Sequence, residues 1–236
     1  MRLDFANERV LAIVAHPDDA ELLCAGTLAR AKHDGAAVGI GVLCRGDKGQ
    51  PNEPIANLAD VRREEMMSAA EILGAELFTG EFGDSELYDS PASRRVVVDI
   101  LRRFRPTLLL GHSPSDYHTD HRATSALVDV ASWMSASTGY ATEHEPLAEP
   151  PVLWWMDNVE MIAFEPHGYI DVSEVVDVKH RMLACHASQL ARGGDENLSP
   201  LEEVMVRQYS TRGAQARVRA AEAFRFHASW KRIGAF

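Results

Sequence analysis

Apolar positions along the chain follow two alternating patterns. Val10 to Ala15 is an unbroken apolar run of β-forming type, whereas Ala20 to His33 carries Leu22, Leu23, Ala25, Leu28 and Ala29 at helical spacing. Between them lies a His-Pro-Asp-Asp turn. Ala37 to Cys44 (AVGIGVLC) predicts a second buried strand, and Arg45 to Leu58 a polar loop of functional length punctuated by Gly and Pro. Asp60 to Leu73 reads as an amphipathic helix closed by Gly74, and Glu76 to Thr79 as a short strand. Ser93 to Phe104 is a helix ended by Pro106, and Thr107 to Gly111 a fourth strand. Arg122 to Ser135 continues as a helix, after which TGYATEHEPLAEPP (138–151) is expected to form an acidic mobile rim or lid. Val152 to Met156 and Met161 to Phe164 predict further strands. Ser173 to Ser188 and Leu201 to Ala223 predict helices separated by the loop Ala191 to Pro200.

Strands that alternate with helices of this length imply right-handed βαβ crossovers, hence a parallel sheet covered on both faces. The expected class is α/β, a Rossmann-like doubly wound and mostly parallel sheet. No repeat or linker justifies a cut, so residues 1–236 are expected to form a single domain.

Composition narrows the partners. With 24 Lys+Arg against 35 Asp+Glu, the net charge of -11 repels phosphate backbones and anionic lipid, so nucleic acid is not expected. The apolar runs fall far short of the roughly 20 residues of a membrane span. The charged N-terminus MRLDFANERV does not resemble a signal peptide, and a cytoplasmic setting is expected. Cys24, Cys44 and Cys185 are odd in number and widely spaced, which points to reduced thiols and not to a disulfide framework or a CxxC metal site.

Two segments concentrate metal-type ligands: His16-Pro17-Asp18-Asp19 after the first strand and Asp116-Tyr117-His118-Thr119-Asp120-His121 after the fourth. Strands 1 and 4 can be neighbours at the switch point of a doubly wound sheet, where ligands bind at the carboxyl ends. His16 and Asp19, three apart at a helix start, can point the same way; with His121 they offer two imidazoles and one carboxylate. Three N/O ligands with a vacant position describe a catalytic zinc site. Asp18 can then take a proton from water, and His118 can protonate or polarise the far side of a substrate, with Asp120 holding and charging that imidazole. Ordinary helix capping is the competing explanation for HPDD. Other apparent motifs fail. Gly39-Ile40-Gly41 lacks a third Gly and sits inside a strand, and Gly111-His112-Ser113-Pro114-Ser115 has Ser where a nucleophile elbow needs its second Gly. His112 and the other unpartnered histidines default to surface or satisfied-core positions.

The chain resembles the LmbE/PIG-L family of zinc-dependent N-acetylglucosaminide deacetylases. AHPDDAELLCAGTLA (15–29) is similar to the family's AHPDDxE opening, and LCRGDKG (43–49) to its second-strand exit. RREEMMSAAEILGA (62–75) is similar to its RxxE helix and DYHTDH (116–121) to its DxHxDH, while KHRMLACHASQ (179–189) and AEAF (221–224) resemble its C-terminal signatures. The resemblance implies His16, Asp19 and His121 as zinc ligands, Asp18 as general base, and His118 as acid and oxyanion stabiliser tuned by Asp120. It also implies substrate contacts from Arg62 and Asp84, with His186 either at the site edge or merely packed. One Zn2+ per chain is implied, another divalent metal being possible in the cell. The implied substrate is a small acetylated amino-sugar conjugate, and the implied assembly a homo-oligomer as large as a hexamer. Ala20, Leu23, Ala25 and Thr119 depart from common family residues and bear on the shape of the sugar pocket. A zinc amidase or esterase on a non-sugar substrate, and a noncatalytic sugar-binding protein, are the rival readings.

Overall fold

The computed structural model describes residues 4–194 and 200–229. The strands are β1 (Arg9–Val14), β2 (Ala37–Cys44), β3 (Glu76–Phe82), β4 (Leu108–Gly111), β5 (Val152–Met156), β6 (Gly168–Asp171) and β7 (Ala221–Phe226). They form one sheet in the order β3-β2-β1-β4-β5-β7-β6. The first five in that order run parallel, and β7 is antiparallel to both β5 and β6. The parallel core is doubly wound, as the alternation of patterns implies, and β1 and β4 are neighbours, with Val10 opposite Leu108 and Ile13 opposite Gly111.

Because both faces are covered, β1 from Val10 onward and β2 and β4 throughout are apolar, and successive residues feed two cores. Val10, Ala12, Val14, Ile40 and Leu110 pack with Leu28 of α2 (Ala25–Asp34), Met66 of α3 (Leu58–Leu73), Met182 of α6 (Val176–Leu183) and Met205 of α8 (Leu201–Ala216). Leu11, Ile13 and Leu109 pack on the opposite face with Val97 and Leu101 of α4 (Pro91–Phe104) and Leu127 of α5 (Thr119–Met134). This alternation also accounts for the Gly39-Ile40-Gly41 pattern. A Cβ at Gly39 would lie 2.8 Å from the Phe104 ring, and one at Gly41 would collide with Ile13, so the glycines admit neighbouring side chains and not a dinucleotide.

Several elements differ from the sequence expectation. The helix read over 20–33 is broken at Cys24 (φ −147°) into α1 (Asp19–Leu23) and α2. Residues 161–164 form no strand: Met161 and Ala163 have positive φ, and the Asn158 side chain bonds both to Ile162 N and to Ile162 O, closing a loop that delays the strand to Gly168. Residues 173–188 hold only α6 and the short α7 (Ala187–Leu190). The helix read over 201–223 stops at Ala216, where Arg217 turns left-handed (φ 61°), and AEAF begins β7 instead. The loop expected at 191–200 lies partly outside the described residues. Segment 138–151, expected as a mobile rim or lid, is tied to α4: the buried Arg102 donates to Thr142 Oγ1 and His144 O, and to Ser135 O and Ser137 O just before the segment.

The break at Cys24 exposes the first N–H groups of α2, which need acceptors. Glu222 of β7 supplies them, accepting from Gly26 N at 3.0 Å and Thr27 N at 2.6 Å. Lys179 donates to Glu222 at 2.6 Å and to Leu22 O at 2.9 Å, with both side chains buried. Removing one partner of a buried pair leaves the other uncompensated, so Glu222→Ala is expected to destabilise the fold by about 3–5 kcal/mol and Glu222→Gln by less. Urea midpoints at unchanged m-value measure it, and equal losses in both variants would contradict the ion-pair account.

Candidate active site

The exits of β1 and β4 meet at the switch point and wall a cavity of about 650 Å3 with the loops after β2, β3 and β5. His16, Asp18, Asp19, His118, Asp120 and His121 all line it. Asp18 is the N-cap residue of α1 yet makes no side-chain capping bond, and its backbone is left-handed at φ 94°, ψ −24°. Capping, the ordinary explanation for an Asp at such a turn, is therefore not what its carboxylate does. The neighbouring Asp19 turns back and accepts from His16 N at 2.7 Å.

Asp19 is the centre of the cluster. Its Oδ2 lies 3.4 Å from His16 Nδ1 and its Oδ1 3.3 Å from His121 Nε2. Behind each imidazole stands another carboxylate: Asp120 Oδ2 is 3.0 Å from His16 Nε2, and Asp116 Oδ1 is 3.0 Å from His121 Nδ1. The donor atoms of His16, His118 and His121 lie within 4.8 Å of one another, as do those of Asp19, His112 and His121. Two imidazoles and a shared carboxylate, each imidazole backed by a second carboxylate, are the ligand and outer-sphere chemistry of a hydrolytic metal centre. The residues present fit a divalent metal.

Asp120 does not charge His118. Its carboxylate is taken by His16 and by Ser85 N at 2.8 Å, and the contact with His118 runs through the backbone, Asp120 N donating to His118 Nδ1 at 3.1 Å. His118 is thus the N-cap of α5, and an accepting Nδ1 leaves the ring proton on Nε2. Burial, followed by the charges of His121 and His16, pushes the His118 pKa down, and Asp120 does not offset this.

Arg62 and Asp84 also line the cavity, and each makes hydrogen bonds within the protein. The Arg62 guanidinium donates to Pro17 O, to Asp18 Oδ2 at 2.9 Å and to Gly46 O at 3.4 Å. Asp84 accepts from Gly46 N at 2.8 Å and Lys48 N at 3.1 Å, fixing the loop after β2. Both thus position other groups of the site, and both stand on the cavity wall where the sequence reading expected substrate contacts.

Sequence reasoning missed His112. Fully buried directly after β4, it stacks on His121 with ring centroids 4.0 Å apart, and its Nε2 accepts from Ala15 N at 3.0 Å and lies 3.3 Å from Asp19. Its position one residue beyond β4, mirroring His16 beyond β1, is the signal that could have found it. His186 is packed, fully buried, with Nε2 3.5 Å from Glu21 and no place in the cavity wall. Segment 138–151 contributes nothing to that wall.

The electrostatics suit a cation. Burial opposes a charge on His16, but Asp120 and Asp19 overcome it and lift its pKa to about 10; at His121, Asp19 and Asp116 likewise overcome burial, to about 9. Burial also works against a charged Asp19, yet His121 and His112 hold its carboxyl well below the usual range. Burial raises the Asp18 carboxyl by more than the Arg62 charge lowers it.

Residues 11–132 match the family model described as PIG-L: GlcNAc-PI de-N-acetylase. The chain is 28% identical over 192 residues to 4-oxalmesaconate hydratase of Pseudomonas putida, covering 78% of this chain and 74% of that protein. It is 27% identical over 230 residues to diacetylchitobiose deacetylase of Thermococcus kodakarensis, covering 93% and 83%. Among solved structures, 4-carboxy-2-hydroxymuconate hydratase of Pseudomonas putida is similar with a TM-score of 0.82 at 25% identity, over 97% of this chain and 100% of that one.

A proton prediction follows from the raised imidazoles. Both carry a second proton at neutral pH without metal, and a ligating imidazole must give it up. Zinc binding at pH 7 should therefore release about two protons, with affinity rising as pH rises and levelling above the two pKa values. Calorimetry in buffers of different ionisation enthalpy counts them, and binding without proton release would contradict the assignment.

Proposed function

From the premise that this chain belongs to the PIG-L family, we propose that it is a zinc-dependent hydrolase. On this reading it removes the N-acetyl group from an N-acetylglucosamine-type sugar conjugate, releasing acetate and a free amine. The observation that carries this reading is Asp18: a half-buried carboxylate on the cavity wall, withdrawn from helix capping and set beside the Asp19, His16 and His121 donors. We read residues 1–236 as one deacetylase domain, with one ion per chain held by His16, Asp19 and His121, zinc being the metal these N/O donors suit and other divalent ions fitting them as well. A homo-oligomer as large as a hexamer and a cytoplasmic setting belong to the same reading. The three free cysteines support the second, and among the described residues no helix is long and apolar enough to cross a membrane.

When bound, the metal supplies Lewis acidity toward the acetamide oxygen and toward water. Asp18 takes a proton from the attacking water as its oxygen bonds to the acetyl carbon, and returns that proton to the nitrogen as the C–N bond breaks. His118, neutral and protonated on Nε2, donates a hydrogen bond to the carbonyl oxygen as negative charge builds there. Arg62 holds Asp18 in place and favours its charged form.

One observation favours a second reading, addition of water across a carbon–carbon double bond: the similarity to the hydratase. The deciding experiment incubates zinc-loaded protein with N-acetylglucosamine conjugates, acyclic acetamides and esters, and an unsaturated polycarboxylate. Acetate release from the sugars is the expected result. Hydration alone would establish the second reading, acyclic turnover alone the amidase or esterase, and sugar binding without turnover a noncatalytic role.

Two variants probe the mechanism. Asp18→Asn should keep its metal and lose on the order of a hundredfold or more in kcat, as general-base removal does. Because Asp18 must be ionised to act, kcat/KM should fall on an acid limb as its carboxylate takes up a proton. Arg62→Gln removes a charge that favours the carboxylate, so the limb should move up in pH. A limb that stays put, or moves down, would exclude Asp18 as the titrating base.

A further inference from the structure

Tyr117 has no evident task in the fold. Its side chain is 62% exposed although aromatic, it lines the cavity, and its hydroxyl bonds to no described residue. Its ring contacts are edge-on: centroids lie 6.0 Å from those of His118 and His121, with interplanar angles of 83° and 66°. The ring thus stands across the site imidazoles, its exposed surface left for something other than the protein core.

The backbone beneath it is rigidly held. Arg122 of α5 donates from Nη1 to Asp116 O at 2.8 Å and to Tyr117 O at 2.6 Å, His118 N donates to Asp116 Oδ1 at 2.9 Å, and Ser115 N donates to Ser113 Oγ at 3.2 Å. A loop fixed this way presents its side chain in one place, so a ligand that meets the ring does not have to order the loop first. Val159, Leu201 and Val204 add apolar surface to the wall, while the base and the imidazoles supply its polar part.

A pyranose ring has hydroxyls around its rim and an apolar C–H face, which is the shape an exposed aromatic at the edge of a polar cavity complements. We propose that Tyr117 is the stacking platform for the sugar ring of the substrate, holding one C–H face of an N-acylated amino sugar while its acetamide reaches the site. The proposal rests on the deacetylase reading and goes beyond it by assigning sugar selectivity to a residue outside the ligand and base set. Tyr117 touches substrate through its face and takes no part in proton transfer. The ring and not the hydroxyl does the work.

The test compares wild type, Tyr117→Phe and Tyr117→Ala as zinc-loaded full-length protein. On an N-acetylglucosamine conjugate, the Phe variant should keep KM within about twofold, and the Ala variant should raise KM roughly three- to tenfold with kcat little changed, as loss of an aromatic stacking contact predicts. An unchanged KM in the Ala variant would overturn the proposal. So would equal losses in Phe and Ala, which would assign the effect to the hydroxyl, or a fall in kcat alone, which would assign it to the imidazoles. Saturation-transfer NMR with N-acetylglucosamine supplies a readout independent of turnover. Transfer to the ring C–H protons should be seen with wild type and Phe and be clearly weaker with Ala. If acetate is never released but this pattern holds, the deacetylase reading fails and the platform stands; if wild type gives no transfer, the platform is wrong whatever the enzyme turns over.

Discussion

The clasp of Arg62 on the Pro17-Asp18 peptide is the contact on which the site depends. A non-glycine residue in the left-handed region costs about 1–3 kcal/mol and persists only where its surroundings over-determine it. Here the guanidinium donates to Pro17 O and to the Asp18 carboxylate, binding the strained peptide and the side chain it displays to α3. Its other edge lies on Gly46, which has φ 71° and no room for a Cβ beside Arg62, so glycine is required there twice over. Asp84 then accepts from Gly46 N, and Asp84 N donates to Asp47 Oδ1. The exits of β1, β2 and β3, adjacent in the sheet, are thereby hooked to one another through side chains that point at the base.

The same site sorts four histidines into different states by what stands behind each. His16 and His121 face carboxylates on both sides and are charged in the absence of metal, which makes them the imidazoles a divalent cation can claim by displacing protons. His118 has a backbone N–H behind it, and its neighbours His16 and His121 carry positive charge; replacing their protons by a metal leaves the sign of that field unchanged. His112, fully buried and stacked on His121, has its pKa pushed down to about 4, first by burial and then by His121. Burial alone does not separate these roles, since all four are at least partly enclosed; the partner of the second ring nitrogen does.

How much of this was legible follows from the range of each interaction. The doubly wound core and the meeting of HPDD with DYHTDH could be read because strand periodicity and the switch-point rule act over local pattern and simple topology. The helix expected over 201–223 failed because its C-terminal half is decided by tertiary contact. Gly213 packs against the Arg219 backbone, Arg217 turns left-handed, and β7 gains β5 and β6 as partners. Arg62, Asp84 and Asp120 were legible as site residues but their hydrogen bonds within the protein were not, the Asp120 carboxylate meeting His16 and not His118, because a motif specifies which residues converge and not which hydrogen bond each makes. His112 belonged to no motif spacing, its only signal being its place directly after β4, which the register of β4 against β1 turns into a site position.

The walls of the cavity bear on the choice between hydrolysis of an amide and hydration of an unsaturated acid. At the reacting centre the two tasks are alike, since each needs a water proton removed by a carboxylate and negative charge accepted on an oxygen. They differ in what the walls must hold. Asp18, Asp19, Asp84, Asp120 and Glu160 line this cavity, against Lys48, Arg62 and Arg192. Arg62 is already paired with Asp18 and Lys48 with Glu86, which leaves Arg192 as the cavity cation with no carboxylate partner among the described residues. A divalent ion in the His16, Asp19 and His121 set would bring these formal charges to balance without creating the surplus of positive charge that a polycarboxylate requires. A neutral sugar asks for no such surplus: its hydroxyls can donate to spare carboxylate oxygens, and its C–H face needs the apolar surface that Val159, Leu201 and Val204 provide. The charge of the walls therefore favours the amide of a neutral sugar, even where the reacting groups do not distinguish the two reactions.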